Sequence, residues 1–417
     1  MTIYVTNFQK ENEGTSDAHI SYLITTHTNL PSFTAPEVSV RRRFMDFVWL
    51  YNGLIQDYPA CVIPPLPEKH RLEYVTGDRF GEDFIEKRRV ALERFLNRLA
   101  NHPTLQRTSY LKKFLDSPDW SSNSVEKVKG EGMLENLSDS IVNAFSRVKK
   151  ADEKFINIKE NVDKFEENIM GIEKMHQKIL KKQLEIQMEY LELNKAVASL
   201  GELETGMVTS LNLFAKVNEE FGDEIKRLVK TEDMYYLSHL REYLAYSNAV
   251  KGVLKLRDQK QVDFEELTDY LQAQVSELDR IRSTGRAGGL SSFFKEKYEG
   301  MKGVDQEQAK QARITKCEEK IKELEEAVSS SHEVSEAFNQ EVEKEFEVFQ
   351  HSKTVDLKEA LVNYSKNKVD FFKNVRFYYI VILFLANIIL EFTNLAKYYT
   401  KIRRSIKRYN YSINSTK

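Results

Sequence analysis

All eight prolines of this 417-residue chain lie between Pro31 and Pro118, and the stretch from residue 119 to the C-terminus contains none. A proline inside a helix costs about 3 kcal/mol, through its missing N–H and its clash with the preceding turn. So long a tract without one predicts very long helices. Of the two tryptophans, Trp49 lies in the proline-bearing part and Trp120 two residues past its last proline, and the polar S-P-D-W-S-S-N-S around residues 117–124 marks a linker. The chain therefore reads as two modules.

The first module reads as a small α+β unit. β-branched and aromatic residues recur in short runs over 4–9, 19–26 and 38–43, punctuated by Gly, Asn and Pro, as in an antiparallel meander. Over 46–58 the apolar spacing turns helical, with Phe47, Leu50, Leu54 and Ile55 on one face. The run I-P-P-L-P-E-K then imposes polyproline-like backbone. Residues 81–100 are helical again, with Phe84, Ile85, Leu92, Phe95, Leu96 and Leu99 inward.

Between the third strand and the first helix the chain reads R-R-R-F-M-D-F-V-W-L-Y, residues 41–51. Arginine suits phosphate because its planar fork of donors is always charged and matches a multi-acceptor anion. Alternation along a strand sends neighbouring side chains to opposite faces, so Arg41 and Arg42 cannot both meet one ligand.

Beyond the linker, Ile141, Phe145, Val148, Ala151, Phe155, Ile158, Val162, Phe165, Ile169, Ile172, Met175 and Ile179 follow at steps of three or four, a sustained packing seam. Further helical stretches are predicted over about 207–282 and 306–372, parted by S-T-G-R-A-G-G-L-S-S. At ~1.5 Å per residue such helices reach roughly 100 Å, more than a compact bundle requires.

The three motifs R-R-F-x-D-F, P-P-L-P-E-K and R-R-V-A-L-E-R-F-L, in this order over residues 1–118, resemble a PX (phox-homology) domain. Three long helices behind it resemble a BAR domain. V-L-K-L-R-D-Q-K-Q at 253–261 and I-S-Y-L-I-T-T-H-T-N-L-P-S-F in the first module resemble the sorting nexin-4 subgroup of the PX–BAR sorting nexins. The resemblance implies an α+β PX domain (a three-stranded antiparallel sheet plus helices) over 1–118 and a linker with an amphipathic segment over 119–140. It implies an all-α BAR domain of three long antiparallel helices over 141–375, with 376–417 outside the family pattern.

The same resemblance implies a seat for the headgroup of phosphatidylinositol 3-phosphate. Arg43 would hold the 3-phosphate, Phe44 would lie against the inositol ring, Lys69 would meet the 1-phosphate and Arg88 the ring hydroxyls. Arg42, Lys255, Arg257 and Lys260 are expected as further membrane contacts, with Lys251, Arg280, Arg282, Arg286, Lys295 and Lys297 in the same class. Val75 in the loop after the proline run, and Met133, Leu134 and Leu137 before the first long helix, are weighed as lipid-touching apolar residues, with local packing favoured. Dimerisation is implied, as homodimer or as heterodimer with another PX–BAR sorting nexin, the subgroup favouring the latter. Cargo and autophagy proteins are the implied partners, and cytoplasmic faces of endosomal and preautophagosomal membranes the implied location.

Other classes fit poorly. Lys and Arg number 62 against 64 Asp and Glu, and the R-R-R run is short, so no nucleic-acid partner is expected. G-R-A-G-G lacks the lysine and hydroxyl of a phosphate-binding loop, and no His pair has H-E-x-x-H spacing, so neither an enzyme nor a metal site nor a cofactor is expected. Cys61 and Cys317 have no metal-ligand spacing and fit a reducing compartment. The first residues lack a basic and apolar signal-peptide pattern.

The tail is the exception. Phe377 to Leu390 is an apolar run shorter than the ~20 residues needed to span a bilayer, followed by seven basic and no acidic residues from Thr393 on. Three readings stay open: a tail anchor, an interfacial helix with a basic flank, or a C-terminus altered by a missed intron or frameshift, which the abrupt change favours. A cytosolic coiled-coil tether with a protein-binding PX-like module, and a tail-anchored membrane protein, are the rival functions.

Overall fold

The computed structural model describes residues 1–67, 81–117, 148–149, 152–204, 206–284 and 306–414. Lys69, Val75, the linker and amphipathic segment, the glycines of the cluster, and Arg286, Lys295 and Lys297 lie outside them. Contacts divide the chain into two units, Met1–Asn168 with Glu242–Thr354, and Ile169–Arg241 with Val355–Lys417.

In the first unit, β1 (Thr2–Glu11), β2 (His19–His27) and β3 (Glu37–Arg43) form an antiparallel sheet in that order. The register sets Val5 opposite Ile24 and Ile24 opposite Val40, so alternation gathers Ile3, Val5, Tyr22, Ile24 and Val40 on one buried face. Helices α1 (Phe44–Asp57), α2 (Glu82–Asn101) and α3 (Ser109–Asp116) complete that core. Phe47, Leu50 and Leu54 of α1 and Leu92, Phe95, Leu96 and Leu99 of α2 are fully buried, each stabilising the fold by about 1.5–3 kcal/mol. Helix α1 starts at Phe44, earlier than its apolar spacing predicts, because Asp46 accepts the Arg43 N–H at 2.7 Å and satisfies the helix end.

The same unit contains the front of α4 (Glu153–Leu203), most of α6 (Ser238–Thr284) and the front of α7 (Gln306–Asn414). Phe165 lies edge-on to Tyr243 at 6.1 Å and to Phe349 at 6.3 Å, within a core that includes Val162, Val250 and Leu254. Two buried carboxylates join these helices to the sheet module. Arg94 Nε stands 3.0 Å from both oxygens of Glu242, and Arg98 donates to Glu242 at 3.0 Å. Glu345 accepts from the Val62 N–H at 2.8 Å and faces His102 Nε2 at 3.0 Å. The Thr104 and Leu105 N–H groups donate to His102 Nδ1, so the ring proton sits on Nε2 and points at Glu345.

The helical stretch expected over about 207–282 forms, as α5 (Val208–Thr231), one π-helical turn at Glu232–Leu237, and α6, its part up to Arg241 belonging to the second unit. The turn carries Glu232, 1% exposed, with Lys368 Nζ at 2.6 Å and His176 Nε2 at 3.5 Å. Tyr236 and Tyr364 pack beside them with tilted rings, their centres 4.7 Å apart. Burial pushes the Glu232 carboxyl above its ordinary range despite Lys368, and burial with Lys368 holds His176 below its own. A carboxyl whose folded pKa is raised penalises the fold at pH above that pKa, and the penalty disappears once the group is protonated in both states. Glu232→Gln is therefore expected to gain stability relative to the natural protein as pH rises, because it removes this pH-dependent penalty. The gain should shrink as pH falls through the carboxyl's raised pKa, as thermal melts across pH will read.

Helix α7 corrects a further expectation. It does not end near Phe372 but runs on to Asn414, and neither Gly nor Pro follows Phe372 to stop it. Among the described residues no helix is long and apolar enough to cross a membrane.

Candidate anion-binding site at the arginine–aromatic junction

Strand β3 ends as α1 begins, and this junction positions the candidate residues. β3 alternates: Val40 and Arg42 point into the core, Arg41 and Arg43 to the other face. Arg43 is half-buried, its NH1 3.5 Å from Asp17 Oδ1 and its Nε 3.9 Å from Asp46 Oδ1. Phe44, the first residue of α1, is half-buried and packs against the core edge. Helix α2 passes beside it and brings Arg88, whose guanidinium carbon lies 4.4 Å from the centre of the Phe44 ring and 4.2 Å from that of Phe84. The two rings hold the half-buried Arg88 guanidinium at the start of α1 by cation–π contact.

The junction thus gathers Arg43, Phe44 and Arg88 from two elements distant in sequence. Two cationic forks beside an aromatic face suit a phosphate carried on a flat polar ring. Arg89, next in sequence, serves the fold instead. It donates to the Val5 carbonyl at 2.6 Å and to Glu86 at 2.8 and 2.7 Å, and this bond holds the Glu86 carboxyl below its usual range.

Two expected membrane contacts are corrected. Arg42 is 1% exposed and donates to the carbonyls of Phe114, Arg41 and Ser117 at 2.9, 2.8 and 2.6 Å, tying β3 to the end of α3. Burial lowers its pKa to about 10, with Asp46 opposing. Arg257 is likewise buried: it donates to Asn339 at 2.6 Å and lies 3.9 Å over the Phe155 ring. Neither side chain reaches a surface where lipid could meet it.

Two others in that group, Lys251 and Arg282, are engaged within the protein. Lys251 pairs with Asp163 at 2.7 Å and with Glu166, and Arg282 donates to Glu318 at 2.6 Å. Lys255 lines a cavity of about 460 Å³ with Tyr51, Tyr58, Ala249 and Gly252, and Lys260 is half-buried on α6. Cys61, Glu341 and Glu345 bring possible ligand atoms within 4.8 Å of one another. Glu345 is already committed to Val62 and His102, and burial pushes the Cys61 thiol up, keeping it protonated. The cluster is a hydrogen-bonded anchor for the loop after α1.

Comparison with known proteins bears on the fold and the family. The PX domain model matches residues 30–118, and the model described as Vps5 C terminal like matches 130–381. Sorting nexin-4 of Cryptococcus neoformans is 39% identical over 381 residues, covering 89% of this chain and 77% of its own. Sorting nexin-4 of Aspergillus fumigatus is 41% identical over 382 residues, covering 87% and 77%. The cryo-EM structure of the SNX-BAR Mvp1 tetramer superposes with a TM-score of 0.58 over 91% of this chain and 99% of that one, at 21% identity, which speaks to the fold alone. With a PX sheet module, long BAR-type helices and sorting nexin-4 relatives along most of its length, the chain belongs to the PX–BAR sorting nexins, non-enzymatic lipid-binding proteins of membrane trafficking, and resembles their sorting nexin-4 subgroup.

Proposed function

We propose that this protein binds phosphatidylinositol 3-phosphate on endosomal membranes through Arg43, Phe44, Lys69 and Arg88, and dimerises through its long helices to sense or shape curvature. It would act in endosomal recycling or retrograde sorting and in autophagy-related transport, as a peripheral protein on the cytoplasmic face, carrying cargo with it. The modules divide as 1–118, 119–140, 141–375 and a tail at 376–417. Lys255 and Lys260 add secondary contacts to anionic lipid, each Lys near such a surface contributing about 1 kcal/mol.

The observation that supports the headgroup reading is the stacking of Arg88 on Phe44 beside Arg43. What supports dimerisation is an apolar seam on α4. Ile172, Ile179, Ile186, Leu193 and Leu200 recur every seven residues, each 43–48% exposed. A seven-residue apolar period calls for a partner helix. The inward face of this half of α4 is a different one, with His176, Leu180 and Gln187 buried. On α7 of the same unit, Val355, Val362 and Val369 repeat the period, again exposed. The partner is a second copy or another PX–BAR sorting nexin.

Sedimentation with vesicles tests the headgroup reading. Arg43→Ala is expected to weaken binding to vesicles containing phosphatidylinositol 3-phosphate by about tenfold to a hundredfold, as a charge-assisted contact is lost. Equal binding by both proteins, whatever the vesicle's phosphoinositide, would favour a protein-binding tether.

A further inference from the structure

Arg43 already has an anion beside it. The β1–β2 turn presents Asp17, whose Oδ1 lies 3.5 Å from Arg43 NH1, the carboxylate 69% and the guanidinium 29% exposed. The turn is built to hold that carboxylate in place. Asn12 takes φ 55° and Gly14 φ 81°, and the Thr15 and Ala18 N–H groups donate to the carbonyls of Asn12 and Thr15 at 3.1 and 3.3 Å. Asp17 N donates to Thr15 Oγ1 at 3.3 Å, and Asn12 Nδ2 donates to Asp17 Oδ2 at 3.3 Å, leaving Oδ1 toward Arg43. The other carboxylate at Arg43 differs in kind: Asp46 is buried and accepts the Arg43 backbone N–H as part of the α1 start.

We propose that Asp17 is an internal competitor for the headgroup phosphate, a carboxylate that holds the Arg43 fork until a phosphate displaces it. The inference rests on the headgroup reading above. A carboxylate and a phosphate use the same guanidinium donors, and Asp17 also repels the incoming phosphate at short range. The competition lowers the intrinsic affinity of one PX seat. Firm attachment then requires several contacts at once: two seats in a dimer together with the helical cations, where the second contact forms at high effective concentration. Asp17 thereby weakens the hold of a lone, unassembled chain on the membrane by about threefold.

The test uses the full chain and soluble dibutanoyl phosphatidylinositol 3-phosphate, titrated calorimetrically into the natural protein, Asp17→Asn and Arg43→Ala. Asparagine is isosteric and retains an oxygen for the Asn12 amide. Asp17→Asn is expected to bind about threefold more tightly, the size of an exposed ion pair, and the gain should narrow as salt rises and screens the pair. Asp17→Asn binding equally or more weakly, while Arg43→Ala fails to bind, would overturn the competitor and leave the seat standing. Undiminished binding by Arg43→Ala would overturn the seat and the competitor together.

Discussion

Ile179→Glu combined with Ile186→Glu is expected to leave the protein monomeric in sedimentation velocity at concentrations where the natural chain, on the proposed reading, dimerises. Both residues stand on the seven-residue seam of α4, close to half exposed. Neither supports the inward face, which in this stretch buries His176, Leu180 and Gln187. Two glutamates per chain place four charges in the proposed interface, each meeting apolar surface without a partner. A loss of at least about a thousandfold in association, ~4 kcal/mol, follows. Helix content should be unchanged, because glutamate is a good helix former. If assembly is unchanged, the α4 seam is not the dimer contact.

The second large effect is on stability. Glu242 is buried and receives donors from Arg94 and Arg98, while the Arg98 guanidinium lies 5.2 Å from the centre of the Tyr243 ring. Removing one member of a buried charge cluster leaves the others desolvated without their counter-charge, which costs about 3–5 kcal/mol. Glu242→Ala should therefore lower the midpoint of denaturant unfolding by an amount equivalent to about 3 kcal/mol. Pairing Glu242→Leu with Arg98→Met should recover part of the loss, because apolar residues of similar volume fill the site and only Arg94, the more exposed of the two arginines, loses this carboxylate. A double variant less stable than Glu242→Ala would mean that the packing at this joint, and not its charge balance, sets stability.

Local periodicity made much of this fold legible. The strand alternation in V-S-V-R-R-R, the inward face of 81–100 and the proline-free tract are each written in neighbouring residues, and the corresponding elements formed. The assembly of Arg43 and Phe44 with Arg88 was legible only through the motif order, since nothing local joins β3 to α2. The fate of Arg42 was not legible: two of its three carbonyl partners belong to α3 and the residue after it, and a strand pattern shows which face a side chain takes but not what covers that face. Arg257 was misread for a similar reason, because the ring that covers it is Phe155, a hundred residues earlier in the chain. The change of buried face along α4 was also hidden. Ile172, Met175 and Ile179 continue the same three-and-four stepping as Val162 and Ile169, yet they are exposed in the single chain. The pattern shows that the residues pack, not whether the neighbour is in the same molecule. Arg94 and Arg98, four apart on a helix otherwise read as facing the core, carried the one local hint of the Glu242 anchor.

The central claim is that the arginine–aromatic junction seats a phosphorylated inositol headgroup. Vesicle binding also reads contacts made by the helical cations, so the most direct measurement removes the bilayer. Titration of soluble dibutanoyl phosphatidylinositol 3-phosphate into the full chain should give one site per chain, shifting backbone resonances of Arg43, Phe44 and Arg88, and Arg43→Ala should abolish both heat and shifts. Binding that persists in Arg43→Ala, or shifts confined to other residues, would contradict the account.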